Sequence, residues 1–209
     1  MQQILNNATQ NDETSQEPDE RVGKYIVFDT ETDAIGLFRP PTQTLIQLAW
    51  IVLDSRLDPL KEKCSFVKGA TTLGAFHKII TMQNVNEGET AESVLSEFIK
   101  DVVEIAHNGG CLVAHNIEFD VGILLLAGER AGVDMMEMLR VRKFCTQKQT
   151  TEFCGKLPKR KGSFSFPTLA DLHMKLFEMG FENAHDALGD TKATARCFRE
   201  LERRHIYEI

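Results

Sequence analysis

From Lys24 onward the chain switches repeatedly between strand-like and helix-like apolar patterns, and that order constrains its fold more than any other feature. Tyr25-Ile-Val-Phe28 reads as a buried strand ending at Asp29, Thr44 to Leu53 as a second, longer strand and Lys61 to Lys68 as a third. The tight turn Asp54-Ser55-Arg56 between the last two predicts an antiparallel meander. Thr90 to Ile105 carries Val94, Leu95, Phe98, Ile99, Val102 and Val103 at helical spacing, with Thr90 as a capping residue. Cys111 to Ala114 predicts a strand, Ile117 to Ala131 a helix closed by Gly132, and Val141 to Cys145 a fifth strand. Two helices complete the pattern, Thr168 to Met179, stopped by Gly180, and Asp186 to about Arg204. The order βββαβαβαα specifies an α/β domain with a mixed five-stranded sheet.

A chain of 209 residues buries enough surface for one core without disulfides or a structural metal. The five cysteines form no CxxC pair and read as reduced thiols, which suits a cytoplasmic or nuclear setting; no secretory signal precedes them. The apolar runs Leu48 to Leu53 and Ile123 to Ala127 are far shorter than a membrane-spanning helix needs, so no membrane is implied as partner. The formal net charge of −7 argues against coating nucleic acid by bulk charge, but it is unevenly distributed. Residues 1–20 contain five acids (Asp12, Glu13, Glu17, Asp19 and Glu20) and no Lys or Arg, the composition of a flexible acidic tail. Residues 21–209 then form the folded domain.

The informative carboxylates are those beside apolar runs, because isolated acids belong on surfaces. Asp29 and Glu31 follow the first strand at i and i+2, a spacing that aims both at one point. Asp120 sits within the apolar start of the helix that begins at Ile117, and Asp190 lies one turn into the last helix, four residues after the capping residue Asp186. Taken singly, each has an ordinary reading as a strand end or a solvated helix residue. Converging, they would raise one another's pKa unless divalent cations offset the charge. All-oxygen sites suit Mg²⁺ or Mn²⁺, and two such ions about 4 Å apart can support phosphodiester hydrolysis. His185, in the loop just ahead of Asp186, supplies an imidazole suited to accept a proton near neutral pH. His115, beside the fourth strand, reads as structural.

Asp29-Thr-Glu31, His115-Asn-Ile-Glu-Phe-Asp120 and His185-Asp-Ala-Leu-Gly-Asp190 together resemble the three motifs of the DnaQ-like (DEDDh) 3′→5′ exonucleases, in the right order. His77-Lys-Ile-Ile-Thr81 through Gly88 resembles the family stretch that flanks the substrate terminus. The resemblance covers about residues 24–204. It implies a ribonuclease H-like three-layer fold, two metal ions on Asp29, Glu31, Asp120 and Asp190, with Asp29 touching both, and His185 as general base. The separation of His185 from Asp190 fits the histidine subtype; the tyrosine subtype would place Tyr where Asp186 stands. Asp33-Ala-Ile-Gly36 departs from the shorter Thr-Gly turn of many relatives. The implied activity is release of nucleoside 5′-monophosphates from DNA or RNA 3′ ends. The contrasting reading is an idle module of the same fold, docked on a polymerase, repair or RNA-processing complex; the intact acids and histidine disfavour it.

Substrate contacts are expected from Thr30 and Asn116 within the motifs, and from Phe119, Phe38 and His77, whose rings can stack on terminal bases. Leu139 to Lys161 holds eight basic residues against Glu152, +7 in 23 residues, and Lys159, Arg160 and Lys161 are expected on substrate phosphates. Such a run also reads as a solvated face or, around Lys156-Leu-Pro-Lys-Arg-Lys161, as an import signal. Nothing in the sequence decides the oligomeric state.

Overall fold

A computed structural model of the chain describes residues 22–34, 43–157, 163–182 and 184–207. The acidic tail, Phe38 and Lys159 to Lys161 lie outside the described residues. Three strands open the fold: β1 (Tyr25–Thr32), β2 (Leu45–Leu53) and β3 (Pro59–Phe66). After a short helix α1 (Met82–Asn86) come α2 (Ala91–His107), β4 (Cys111–Ala114), α3 (Ile117–Ala131), the single turn α4 (Glu137–Arg140) and β5 (Arg142–Cys145). Two further short helices, α5 (Thr146–Gln149) and α6 (Thr151–Cys154), precede α7 (Leu169–Phe177) and α8 (Ala187–Arg203). With the four short helices set aside, the order is the expected βββαβαβαα.

The sheet runs β3-β2-β1-β4-β5. β2 is antiparallel to both β1 and β3, whereas β1, β4 and β5 are mutually parallel. Every residue of β2 is buried, which is why Leu45 to Leu53 is apolar almost throughout: it is covered on both faces. One cover is α2 with α3, packed on Ile26, Phe28, Leu48, Trp50 and Leu112. The other is α8, whose Phe198 meets Val27, Ile51, Val113 and Phe144. Strand alternation thus sends even-numbered β1 residues to one layer and odd-numbered ones to the other. α7 packs on the far side of α8 through Leu172, Leu176, Cys197 and Leu201. The five cysteines are free. Among the described residues, no helix is long and apolar enough to cross a membrane.

Three boundaries differ from the sequence reading. β1 continues past Phe28 to Thr32, because Asp29, Thr30, Glu31 and Thr32 keep their pairing with β2. β3 begins and ends two residues earlier than expected. α7 stops at Phe177, where Glu178, with φ 58°, takes the left-handed capping position assigned to Gly180. α1 was not foreseen, although Thr81 and Asn84 form a reciprocal capping box that marks its start.

Gly110 lies where α2 hands the chain to β4. A Cβ there would stand 2.5 Å from the Lys24 carbonyl oxygen and 2.6 Å from that of Ile105. Both obstacles are backbone, so Gly110→Ala should cost about 1–3 kcal/mol by overpacking. Urea denaturation measures this; a loss below about 0.5 kcal/mol would show that the junction yields.

Candidate active site

The parallel strands β1 and β4 end at one rim of the sheet, and α3 and α8 both begin there. Asp29 and Glu31 point to the α8 side of β1, opposite Ala49 and Gln47 of β2. Thr30 points to the other side, toward α3. Its backbone N–H and its hydroxyl both donate to Asp120 Oδ1, at 3.1 and 2.7 Å. That pair of bonds fixes the otherwise buried Asp120, 3% exposed, in the first turn of α3. Asn116 precedes this helix in the left-handed conformation, φ 73°, with no capping bond from its side chain.

Asp186 caps α8 as expected, accepting from the Gly189 N–H at 3.1 Å. Asp190 follows in the first turn. His185 sits just before the cap with φ 68°, and its N–H donates to Asp190 Oδ2 at 3.2 Å. Glu31, His185 and Asp190 each present a ligand atom, and these atoms lie within 4.8 Å of one another. Two layers of the fold therefore bring the predicted acids and histidine to one rim.

The electrostatics explain what the site needs. Burial, followed by the charges of Asp120, Asp190, Glu31 and Asp186, raises Asp29 well above the usual carboxylate range. Burial pushes Glu31 up to about 7, with Asp190, Asp186 and Asp120 adding to the effect. Asp120 is raised to about 7 by burial, against the opposing hydrogen bonds from Thr30. Asp190 is raised to about 6, again chiefly by burial. These are acids that neutral water would ionise and that this rim resists ionising. Divalent cations would offset that resistance, so the donor set fits Mg²⁺ or Mn²⁺.

The remaining predicted contacts are placed less uniformly. His77 is enclosed, its side chain 1% exposed, with the ring against Phe76 at 4.1 Å between centroids. Its Nε2 bonds the Thr32 carbonyl at 2.7 Å, and Nδ1 stands 4.0 Å from Glu31 Oε2. The ring thus braces the end of β1 and shows little free face for a base. Phe119 is half-buried and packs against the core beneath α3. His115 bonds Thr146 and the Pro167 carbonyl, and burial lowers it to about 4, as befits a neutral structural histidine. In the basic segment, Lys148 pairs with Glu118, Lys156 with Asp171 and Arg140 with Glu137. Two groups at the rim were not singled out in advance: Asp186 as a contributor to the repulsion, and Gln47, which touches Asp186. A glutamine inside an apolar strand was the available signal.

The model of the exonuclease family named RNase_T matches residues 26–198. The chain belongs to this exonuclease family. It is a DnaQ-like member of the ribonuclease H-like superfamily, and its mixed sheet with flanking helices is the fold of that group. Its exonuclease region is similar to the PolC-type DNA polymerase III of Lactococcus lactis, 29% identical over 175 residues, covering 82% of this chain and 10% of that protein. The PolC-type polymerase of Caldanaerobacter subterraneus is 24% identical over 182 residues, covering 86% of this chain and 12% of its own. The chain thus spans about a tenth of the length of these curated relatives. Among solved structures, E. coli exonuclease I in complex with a dA16 oligonucleotide superposes with a TM-score of 0.65 at 18% identity, covering 88% of this chain and 41% of that one. A 3′-exonuclease solved for its 3′-end-specific recognition of histone mRNA stem-loop gives 0.68 at 16% identity, covering 88% and 65%. At these identities the likeness is one of fold.

The raised acids carry a signed pH dependence. Burial raises Glu31 to about 7 in the folded chain against 4.5 ordinarily, so between those values the folded state holds more protons than the unfolded one. Stability of the metal-free protein therefore falls as pH rises from about 5 through 7. Glu31→Gln should raise metal-free stability at pH 8 by roughly 1–3 kcal/mol, a few degrees in Tm, and change little at pH 5. Thermal melts in EDTA decide it; an equal gain at both pH values, or none, contradicts the assignment.

Proposed function

We propose that this chain is a metal-dependent 3′→5′ exonuclease that hydrolyses the terminal phosphodiester of DNA or RNA and releases nucleoside 5′-monophosphates. The observation that carries this reading is the convergence of Asp29, Glu31, Asp120 and Asp190 at one desolvated rim, with His185 beside two of them. Asp29, Glu31, Asp120 and Asp190 would hold two Mg²⁺ or Mn²⁺ ions. When bound, such ions neutralise the acids, polarise the scissile phosphate and make water a stronger acid. His185 takes the proton of the attacking water as general base. Its loop position leaves the imidazole exposed, while its N–H bond to Asp190 ties that loop to the acid cluster. Asp190 is thus both a ligand and the anchor of the base. Thr30 holds Asp120 at a fixed height relative to β1, so the acid of α3 and those of β1 keep one geometry.

Thr30, Asn116, Phe119 and His77 are the groups next to the acids and would border the terminal nucleotide, His77 by supporting Glu31 and Thr32. Lys159, Arg160 and Lys161 would meet phosphates further along the strand. Residues 21–209 form the exonuclease domain, and the acidic tail precedes it. The similarity to PolC-type polymerases supports work beside a polymerase, and the free cysteines support a reducing, cytoplasmic or nuclear setting.

Digestion of 3′-labelled single-stranded DNA, duplex DNA and RNA tests the reading. With Mg²⁺ the protein should release mononucleotides, and EDTA or Asp29→Ala should bring the rate to background. His185→Ala should lower kcat by about 10²–10⁴-fold, the range for losing a general base. Equal rates for the wild type and Asp29→Ala would refute the metal assignment, and an inactive wild type on all three substrates would leave the idle binding module as the better reading.

A further inference from the structure

Gln47 stands in the middle of a fully buried strand and is itself 1% exposed. A buried primary amide must find partners for its carbonyl and its N–H groups. Here Oε1 accepts the backbone N–H of Ala187, the first residue of α8, at 3.0 Å. Because that N–H can only donate, the carbonyl end of the amide must face it, and the orientation of Gln47 is settled. Nε2 then donates to Asp186 Oδ1 at 2.8 Å and faces Cys64 Sγ at 3.4 Å. The other oxygen of Asp186 caps the Gly189 N–H. A continuous set of bonds therefore runs from β2 through Gln47 and Asp186 into the first turn of α8.

The position of this clamp matters for the site. Gln47 is the direct cross-strand partner of Glu31, so both side chains leave the sheet on the same face. The residues it grips, Asp186 and Ala187, stand between His185 and Asp190. The clamp thus ties the segment carrying His185 and Asp190 to the strand pair carrying Asp29 and Glu31. It also keeps the Asp186 carboxylate engaged as a helix cap, with each oxygen holding one N–H.

We propose that Gln47 is a positioning residue for the exonuclease reaction: its amide locks the start of α8 onto β2 and so sets His185 and Asp190 opposite Glu31. This rests on the reading given under Proposed function. Gln47→Glu keeps the acceptor for Ala187 but turns an oxygen toward Asp186, giving two facing acceptors of like charge. Asp186→Asn, with its carbonyl on Gly189, turns an amide N–H₂ toward the Gln47 amide N–H₂, giving two facing donors. Combining the two restores one donor and one acceptor with the bond reversed and the net charge unchanged. Asn remains a good helix cap.

The experiment is a double-mutant cycle on nuclease kcat and KM with Mg²⁺ and on Mn²⁺ affinity by calorimetry, with Tm recorded for each protein. Each single substitution should lower kcat on the order of 10–100-fold with KM within about twofold, and weaken Mn²⁺ similarly. The double variant should recover most of both. A double variant as impaired as the product of the singles overturns the clamp. So do single variants with wild-type kcat, or losses that follow Tm alone. Should Gln47→Glu fail to fold, Asp186→Asn and the double variant still supply the comparison. If the wild type proves inactive on nucleic acid, the nuclease reading fails separately and the Mn²⁺ cycle still decides the clamp; a wild type that also binds no Mn²⁺ overturns both.

Discussion

Mutual repulsion among acids in a desolvated rim is the constraint on which the rest of this structure turns. Asp29, Glu31, Asp120 and Asp190 come from a strand and two helices, and burial raises all four above the usual carboxylate range. Nothing in the chain neutralises them by an adjacent Lys or Arg among the described residues. The fold instead braces the rim from behind: Thr30 on Asp120, the His185 N–H on Asp190 and the Gln47 amide on the helix cap Asp186. The donor set left at the rim is one that fits divalent cations.

The sheet topology makes such bracing possible. β1 lies in the centre, antiparallel to β2 and parallel to β4, so its final residues meet helices arriving at both faces. Alternation of side chains then lets adjacent residues serve different layers: Asp29 and Glu31 toward α8, Thr30 toward α3. The apolar positions of the same strand anchor it, with Phe28 against Phe98 and Val27 in the α8 layer. The central strand thus delivers charge to a place where its own core packing prevents retreat. Stability of the core and strain at the rim are two ends of one strand.

Much of this was legible in the sequence because acids beside apolar runs violate the ordinary rule of burial. Asp29 with Glu31, Asp120 and Asp190 were visible for that reason, and the capping role of Asp186 followed from helix chemistry. The same rule applied to an uncharged residue would have exposed Gln47, whose neighbours Ile46 and Leu48 are wholly buried. Other features left weaker signals. Thr146-Gln-Lys-Gln149 and Thr151-Glu-Phe-Cys154 lack an apolar stripe, and their helical turns come from tertiary contacts such as Thr146 with His115. The basic run looked like a free cationic surface, yet Lys148 and Lys156 are paired with acids from α3 and α7 that are distant in sequence. His77 looked like a stacking group, and only the folded chain shows its ring tucked behind Glu31.

On the proposed reading, the four acids make this rim a divalent-cation site. Crystals grown with Mn²⁺ and a nucleoside 5′-monophosphate, measured at the manganese absorption edge, test it most directly. Two anomalous peaks about 4 Å apart are expected, bounded by Asp29, Glu31, Asp120 and Asp190. Strong peaks elsewhere on the molecule, with none among these carboxylates, would contradict it.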